Sequence, residues 1–149
     1  MTINNFEKFV EEKIVNRGYG YFKDGDVPKV EQVGVGEFNA VAFGTEIYEI
    51  YVKLDGEMIV ESYCDCPYDY GNVCKHEVAV FYKIRNGEFV NTGEKISKLF
   101  DNLHDSALRR FVSDLLKKDR KFRQNFLREF DEDFEEDEEF EERFDEYNY

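Results

Sequence analysis

The fold is decided by the stretch Cys64-Asp65-Cys66-Pro67-Tyr68-Asp69-Tyr70-Gly71-Asn72-Val73-Cys74-Lys75-His76, which holds all three cysteines and one of the two histidines. Its spacing is C-x-C-x7-C-x-H. Three thiolates and one imidazole form the soft, four-coordinate ligand set that Zn2+ prefers. Because this set leaves no coordination position open, the sequence predicts one structural zinc site rather than a catalytic one, with four ligands: Cys64, Cys66, Cys74 and His76.

The spacing also predicts how the chain presents these side chains. A C-x-C pair can converge on one metal at the end of a strand, and Pro67 would stop the strand there. Residues i and i+2 lie about 200° apart on a helix, so Cys74 is expected at a helix N-terminus with His76 in the first turn. The free N–H groups of that terminus would help to hold Cys74 as a thiolate.

Two other roles for the cysteines fit less well. A disulfide framework would leave one of the three thiols unpaired, and a single bridge would be unusual in a chain without a secretory signal. A nucleophilic cysteine with a histidine base would need an orienting group and an oxyanion donor, and neither can be picked out of the sequence. Zinc therefore remains the preferred interpretation.

The motif resembles the SWIM-type zinc finger, a small β-β-α element with a C-x-C-xn-C-x-H signature. C-x-C-P, a short aromatic and acidic loop, and C-K-H are followed by an apolar helical run over residues 77–82. Residues 17–27 are similar to an R-G-x-x-Y-Y-x-x-G-x-V pattern of bacterial and archaeal SWIM proteins, and a Leu-rich run ending near Asp119 resembles their following helices. The resemblance implies zinc on the same four residues. It also implies a non-enzymatic role in protein or DNA contacts, with a Swi/Snf-like helicase ATPase as the partner.

Composition and charge limit the class of protein. A chain of 149 residues is long enough for one domain with a sizeable core, and 15 Phe and 10 Tyr supply its bulk. No run approaches 18 apolar residues, so no membrane span is expected. The N-terminus has neither a basic region nor an apolar one, which favours a cytoplasmic location.

The net charge of −14 is unevenly distributed. Residues 129–149 carry 13 acidic residues against a single Arg143, and we expect a frayed or disordered acidic tail there. Residues 1–128 are nearly neutral, yet residues 109–128 contain eight basic and two acidic residues. Phosphate neutralisation dominates nucleic-acid affinity, so a near-neutral body with an acidic tail favours a protein partner over nucleic acid.

Periodicity predicts an α+β fold. Apolar residues at three- and four-residue spacing predict a first helix over residues 5–17, capped by Asn5 or Asn4 and stopped by Gly18. The aromatic residues 19–22 would form a linker, either packed beneath a sheet or presented as a stacking platform for bases. Alternation then predicts a four-stranded antiparallel meander over residues 27–33, 37–43, 46–54 and 57–63. In the third of these strands one face is predicted to be the core side, and it carries Tyr48, Ile50, Val52 and Leu54.

The second half of the chain is predicted to be helical. The helix after the zinc motif is apolar over more than half its circumference, so we expect it to be buried and to end near Gly87. Further helices are predicted over residues 94–103 and 106–118, with His104 in a capping or surface role. A last helix from Asp119 would carry one packing stripe of phenylalanines: Phe122, Phe126, Phe130 and Phe134.

These patterns divide the chain into a SWIM zinc-finger domain over residues 1–93, helices packed on it over residues 94–128, and the acidic tail over residues 129–149. No P-loop, nucleophile elbow or HExxH motif is present, so we expect a binding module and not an enzyme. The alternative is a direct DNA- or RNA-binding module regulated by its acidic tail. A redox or zinc sensor using the same thiolates is a third hypothesis.

Overall fold

A computed structural model describes residues 1–135 of the chain. The chain forms two compact units, one over Met1–Asp101 and a second that begins at Asn102. The α+β class predicted from the sequence is confirmed. Among the described residues, no helix is long and apolar enough to cross a membrane.

The first unit begins with helical elements whose bounds differ from the prediction. A short 3-10 helix spans Phe6–Lys8, and α1 spans Glu12–Asp24. The predicted helix over residues 5–17 with a stop at Gly18 is therefore wrong. Gly18 lies inside α1, where a Cβ would come within 2.4 Å of Val78 Cγ1. The glycine is needed for close helix packing, and the stop is Gly25, whose φ is 80°.

The predicted aromatic linker is thus part of α1. Tyr21 and Phe22 pack against the hydrophobic core, and the Phe22 ring stacks on Tyr82 with centroids 5.5 Å apart. These contacts agree with the packing interpretation for Tyr21 and Phe22, which are partly buried, whereas Tyr19 keeps 46% of its surface exposed.

The meander follows as predicted, with β1 over Lys29–Gly34, β2 over Glu37–Phe43, β3 over Ile47–Asp55 and β4 over Met58–Cys64. Consecutive strands pair antiparallel. A fifth strand, β5 over Val90–Asn91, pairs parallel with β1 and gives the order β4-β3-β2-β1-β5. β5 was not predicted, because two residues are too few to show alternation.

Helix α2 spans Lys75–Arg85 and packs with α1 on one face of the sheet. Its middle, Val78 to Phe81, is fully buried, as predicted. From the sheet, Ile50 and Val52 of β3 join this core, which confirms the predicted core face of that strand. The zinc motif therefore lies where the last long strand passes into the central helix.

Three helices complete the described chain. Helix α3 spans Thr92–Asn102, α4 spans Asp105–Lys118 and α5 spans Arg120–Phe130, close to the predicted bounds. His104 caps α4 by accepting a hydrogen bond from the Ser106 N–H at 3.3 Å, in agreement with its predicted role.

The predicted phenylalanine stripe is too long by one member, because α5 ends at Phe130 and Phe134 lies beyond it. The carboxylates that follow Phe130 oppose the negative end of the helix dipole, which disfavours continuation. The predicted frayed or disordered tail falls largely on residues 136–149, which lie outside the described part of the chain.

Candidate metal centre

The structure brings all four predicted ligands together. Cys64 is the last residue of β4 and pairs with Ile50 across the sheet. Cys66 follows two residues later, Cys74 is the N-cap of α2, and His76 lies in its first turn. The three Sγ atoms and a ring nitrogen of His76 lie within 4.8 Å of one another. The placement of Cys74 and His76 at the helix start is the one that their spacing predicts.

Distances within the cluster suit a tetrahedral ion. Nδ1 of His76 lies 3.7 Å from Cys64 Sγ and 3.8 Å from Cys74 Sγ. Bonds of about 2.3 Å to sulfur and about 2.0 Å to nitrogen at tetrahedral angles place such atoms roughly 3.6 Å apart. The donor set and its spacing therefore fit zinc.

The surroundings of the cluster favour protonated thiols, so thiolates there require a nearby cation. Burial raises the pKa of the Cys66 thiol. The bond to Cys64, and then burial, raise the pKa of Cys74, although the Glu77 N–H at 3.4 Å from its sulfur acts in the opposite direction. The N–H groups at the helix N-terminus therefore lower the pKa of Cys74 as expected, but the bond to Cys64 and burial raise it by more. A metal ion is the group that can stabilise several adjacent thiolates.

The histidine is held in its neutral form. Burial, followed by the nearby charges of Lys75 and Arg17, lowers the pKa of His76 to about 4. At neutral pH the imidazole is therefore uncharged, which is the form that binds a metal.

Aromatic rings fix the orientation of His76. Tyr48 stacks on the imidazole with centroids 4.8 Å apart, and Tyr21 meets it edge-on at 4.9 Å. A Cβ on Gly44 would lie 3.0 Å from the Tyr48 ring and 3.4 Å from His76 Nε2, so the glycine makes room for this stack. His76 Nε2 is buried and has no hydrogen-bond partner within residues 1–135, while Nδ1 faces the sulfurs.

Glu77 is a site residue that the sequence analysis missed. Its buried carboxylate accepts hydrogen bonds from the Cys74 N–H at 2.7 Å and from the Ser62 hydroxyl at 2.6 Å. With the Glu77 N–H directed at Cys74 Sγ, this is a capping box in which cysteine takes the place of serine. The signal was available, because glutamate stands three residues after Cys74.

Lys75, between two predicted ligands, contacts an aromatic ring of the site. Its ammonium lies 4.6 Å from the centroid of the Tyr21 ring, which is a cation–π contact. The lysine therefore contacts a ring that itself packs against His76, so it supports the site indirectly.

This arrangement defines a class of site, a compact Cys3His cluster between a strand end and a capped helix. Residues 48–85, from β3 through α2, match the family model of the SWIM zinc finger, so this part of the chain is a SWIM zinc finger. The match and the cluster are consistent with one structural zinc ion. The SWIM zinc finger is a binding module and not a catalytic family. Comparisons with curated proteins and with solved structures find no match.

Proposed function

We propose that Cys64, Cys66, Cys74 and His76 are the ligands of one structural Zn2+. The observation that carries this assignment is the convergence of their four ligand atoms within 4.8 Å. An ion held by four protein ligands has no position for a substrate, so its role is to join the end of β4 to the start of α2.

The module formed around this ion recruits or regulates a protein partner without catalysing a reaction. The family resemblance names a Swi/Snf-like helicase ATPase as that partner. Charge supports a protein over nucleic acid for the zinc-bearing unit, because residues 1–101 carry 18 acidic and 11 basic residues. A surface with that excess of carboxylates repels phosphates. A cytoplasmic location is part of the proposal, because a reducing compartment keeps the zinc-binding cysteines from forming disulfides. The boundary of the zinc-finger domain at residue 93 remains a prediction.

Affinity capture from the native host tests this function. The wild-type chain should recover a defined partner, and the Lys75→Ala variant should recover the same one because its zinc site is intact. His76→Ala, which removes a ligand, should lose both zinc and partner. A partner recovered equally by all three chains would show that binding does not depend on the zinc module.

One observation favours direct nucleic-acid binding as a second candidate function. Residues 109–128 contain eight basic and two acidic residues and form most of α4 and α5. The acidic residues 129–149 follow at once and would compete with phosphates for this segment.

Truncation tests the second candidate directly. Removing residues 129–149 should raise affinity for DNA or RNA at low salt, and the gain should shrink as salt increases. Binding is measured at two ionic strengths for both chains. Equal affinity of the full-length and truncated chains would count against a nucleic-acid role for α4 and α5.

A further inference from the structure

The sheet has a second face that α1 and α2 do not cover. Phe43, Ile47 and Tyr63 point to this outer face and keep 48%, 66% and 61% of their surface exposed. Phe43 and Ile47 are direct cross-strand partners, as are Tyr51 and Tyr63. The outer face therefore presents an apolar and aromatic surface that no described residue covers.

A groove of about 360 Å³ crosses this face from β1 to β4. The pair Tyr51 and Tyr63 lines it, together with Glu49 and Asp65 and with Lys29 and Glu31 of β1. The backbone N–H of Glu49 donates to the Asp65 carboxylate at 2.9 Å, which holds the two acidic residues side by side. We call this depression the outer groove.

The lysines of the outer face are already paired. Lys29 forms an ion pair with Glu31 at 3.0 Å, and Lys53 forms one with Glu37 at 3.3 Å. Within residues 1–135, Glu49 and Asp65 form no ion pair. Both residues line the outer groove, so a cation bound there would be attracted by both carboxylates. Tyrosine rings at the same place attract cations through their faces.

We propose that the outer groove binds an extended, arginine- or lysine-bearing segment of a protein partner. Cationic side chains of the segment lie against Glu49 and the Tyr63 ring, and its apolar residues cover Phe43 and Ile47. Nucleic acid is excluded from this face because its phosphates would meet unpaired carboxylates. The assignment rests on the proposed function of the module as a protein-binding one, and it defines the partner by charge.

The test uses the full-length, zinc-loaded chain and a fluorescent peptide in which arginine alternates with serine. The same peptide with citrulline in place of arginine has nearly the same shape without the charge. Fluorescence anisotropy should show binding of the arginine peptide at low salt, and at least about tenfold weaker binding of the citrulline peptide, because its side chains are neutral.

Matched variants locate the binding on the protein. Glu49→Lys and Glu57→Lys change the net charge equally, but Glu57 lies in the exposed turn between β3 and β4, outside the outer groove. Glu49→Lys should weaken arginine-peptide binding about tenfold, and Glu57→Lys less than about twofold, since only the first places a cation in the groove. Tyr63→Leu, which keeps bulk and removes the ring, should weaken it about threefold.

Zinc content measured on every variant separates the two claims. If both lysine variants kept normal zinc content and weakened binding of the arginine peptide equally, the outer groove would not be the binding site. The proposed zinc module would be unaffected by that result. Equal affinity for the arginine and citrulline peptides would also overturn the proposal. So would single-stranded RNA that binds more tightly than the arginine peptide and whose affinity Glu49→Lys changes. Self-association of the chain that Glu49→Lys abolishes would overturn it as well.

Discussion

Helices α2 and α5 each contain eleven residues, yet α2 buries eight of them and α5 buries none. α2 is apolar around most of its circumference and packs between α1 and the sheet. α5 packs with α4, and its Phe130 keeps 71% of its surface exposed. The two helices therefore have equal length but differ in how much of their circumference is apolar, and their burial follows that difference.

The comparison also shows what zinc contributes. Cys74 is the N-cap of α2 and His76 lies in its first turn, so the proposed metal site joins the start of this helix to β4. The N-cap of α5 is Asp119, whose carboxylate accepts a hydrogen bond from the Phe122 N–H at 2.9 Å. A side-chain cap of that kind is worth about 1 kcal/mol, whereas a structural zinc ion contributes on the order of 10 to 16 kcal/mol.

The largest expected effect is therefore the loss of zinc. His76→Ala should abolish stoichiometric zinc binding and unfold at least residues 63–84, because the contribution of zinc exceeds the whole stability of a typical domain. Hydrogen exchange should show protected α2 amides in the wild type and rapid exchange in the variant. Amides of α5 should exchange rapidly in both.

Lys75→Ala is the matched control within the same turn of α2. It removes a half-exposed cation–π contact, which is worth about 0.5 to 1 kcal/mol, and should retain zinc and the protection of α2. If His76→Ala and Lys75→Ala lost zinc equally, the assignment of His76 as a ligand and of Lys75 as a neighbouring residue would be contradicted.

An intermediate effect is expected at Glu77. Glu77→Ala leaves the Cys74 N–H and the Ser62 hydroxyl without their buried acceptor, and one unsatisfied buried donor costs about 1 to 3 kcal/mol. Unfolding by urea should show a loss of roughly 2 to 4 kcal/mol. Zinc affinity should fall about 10- to 100-fold, as for outer-shell partners in other metal sites. Unchanged stability and affinity would show that the capping box does not support the site.

The smallest effect distinguishes two glycines of α1. A Cβ at Gly18 would overlap Val78 and approach the Lys75 carbonyl oxygen within 2.8 Å, whereas a Cβ at Gly20 meets nothing within 4 Å. Gly18→Ala should destabilise the chain by about 1 to 3 kcal/mol through overpacking. Gly20→Ala should stabilise it by about 0.5 to 1 kcal/mol through helix propensity. Urea midpoints that move in the same direction for both variants would contradict the packing of α1 on α2.

Gly18 is an example of a residue whose role could not be predicted from the sequence. The strands and their core face could be predicted because apolar and polar side chains alternate along a strand, and this alternation can be read within a few residues. Gly18 looked like a helix stop because a cap and a close packing position are both occupied by glycine, and only the position of α2 distinguishes them. The two residues of β5 depend wholly on the neighbouring β1.

The ligands of the candidate site could be predicted from the sequence, but most of the residues that surround them could not. Cysteine and histidine spacing is a local signal, and the structure brings the predicted residues together. Tyr21 and Tyr48 lie far from the motif in sequence, so their contacts with His76 depend on the packed fold. Glu77 could have been recognised from the capping-box spacing, had cysteine been considered as an N-cap.

X-ray absorption at the zinc edge, combined with metal analysis of the purified chain, tests the central claim most directly. The account predicts about one zinc per chain, with three sulfur neighbours at about 2.3 Å and one nitrogen at about 2.0 Å. Replacing both Cys64 and Cys74 with serine should abolish this signal. A first shell dominated by oxygen or nitrogen, or stoichiometric zinc retained by the double variant, would contradict the account.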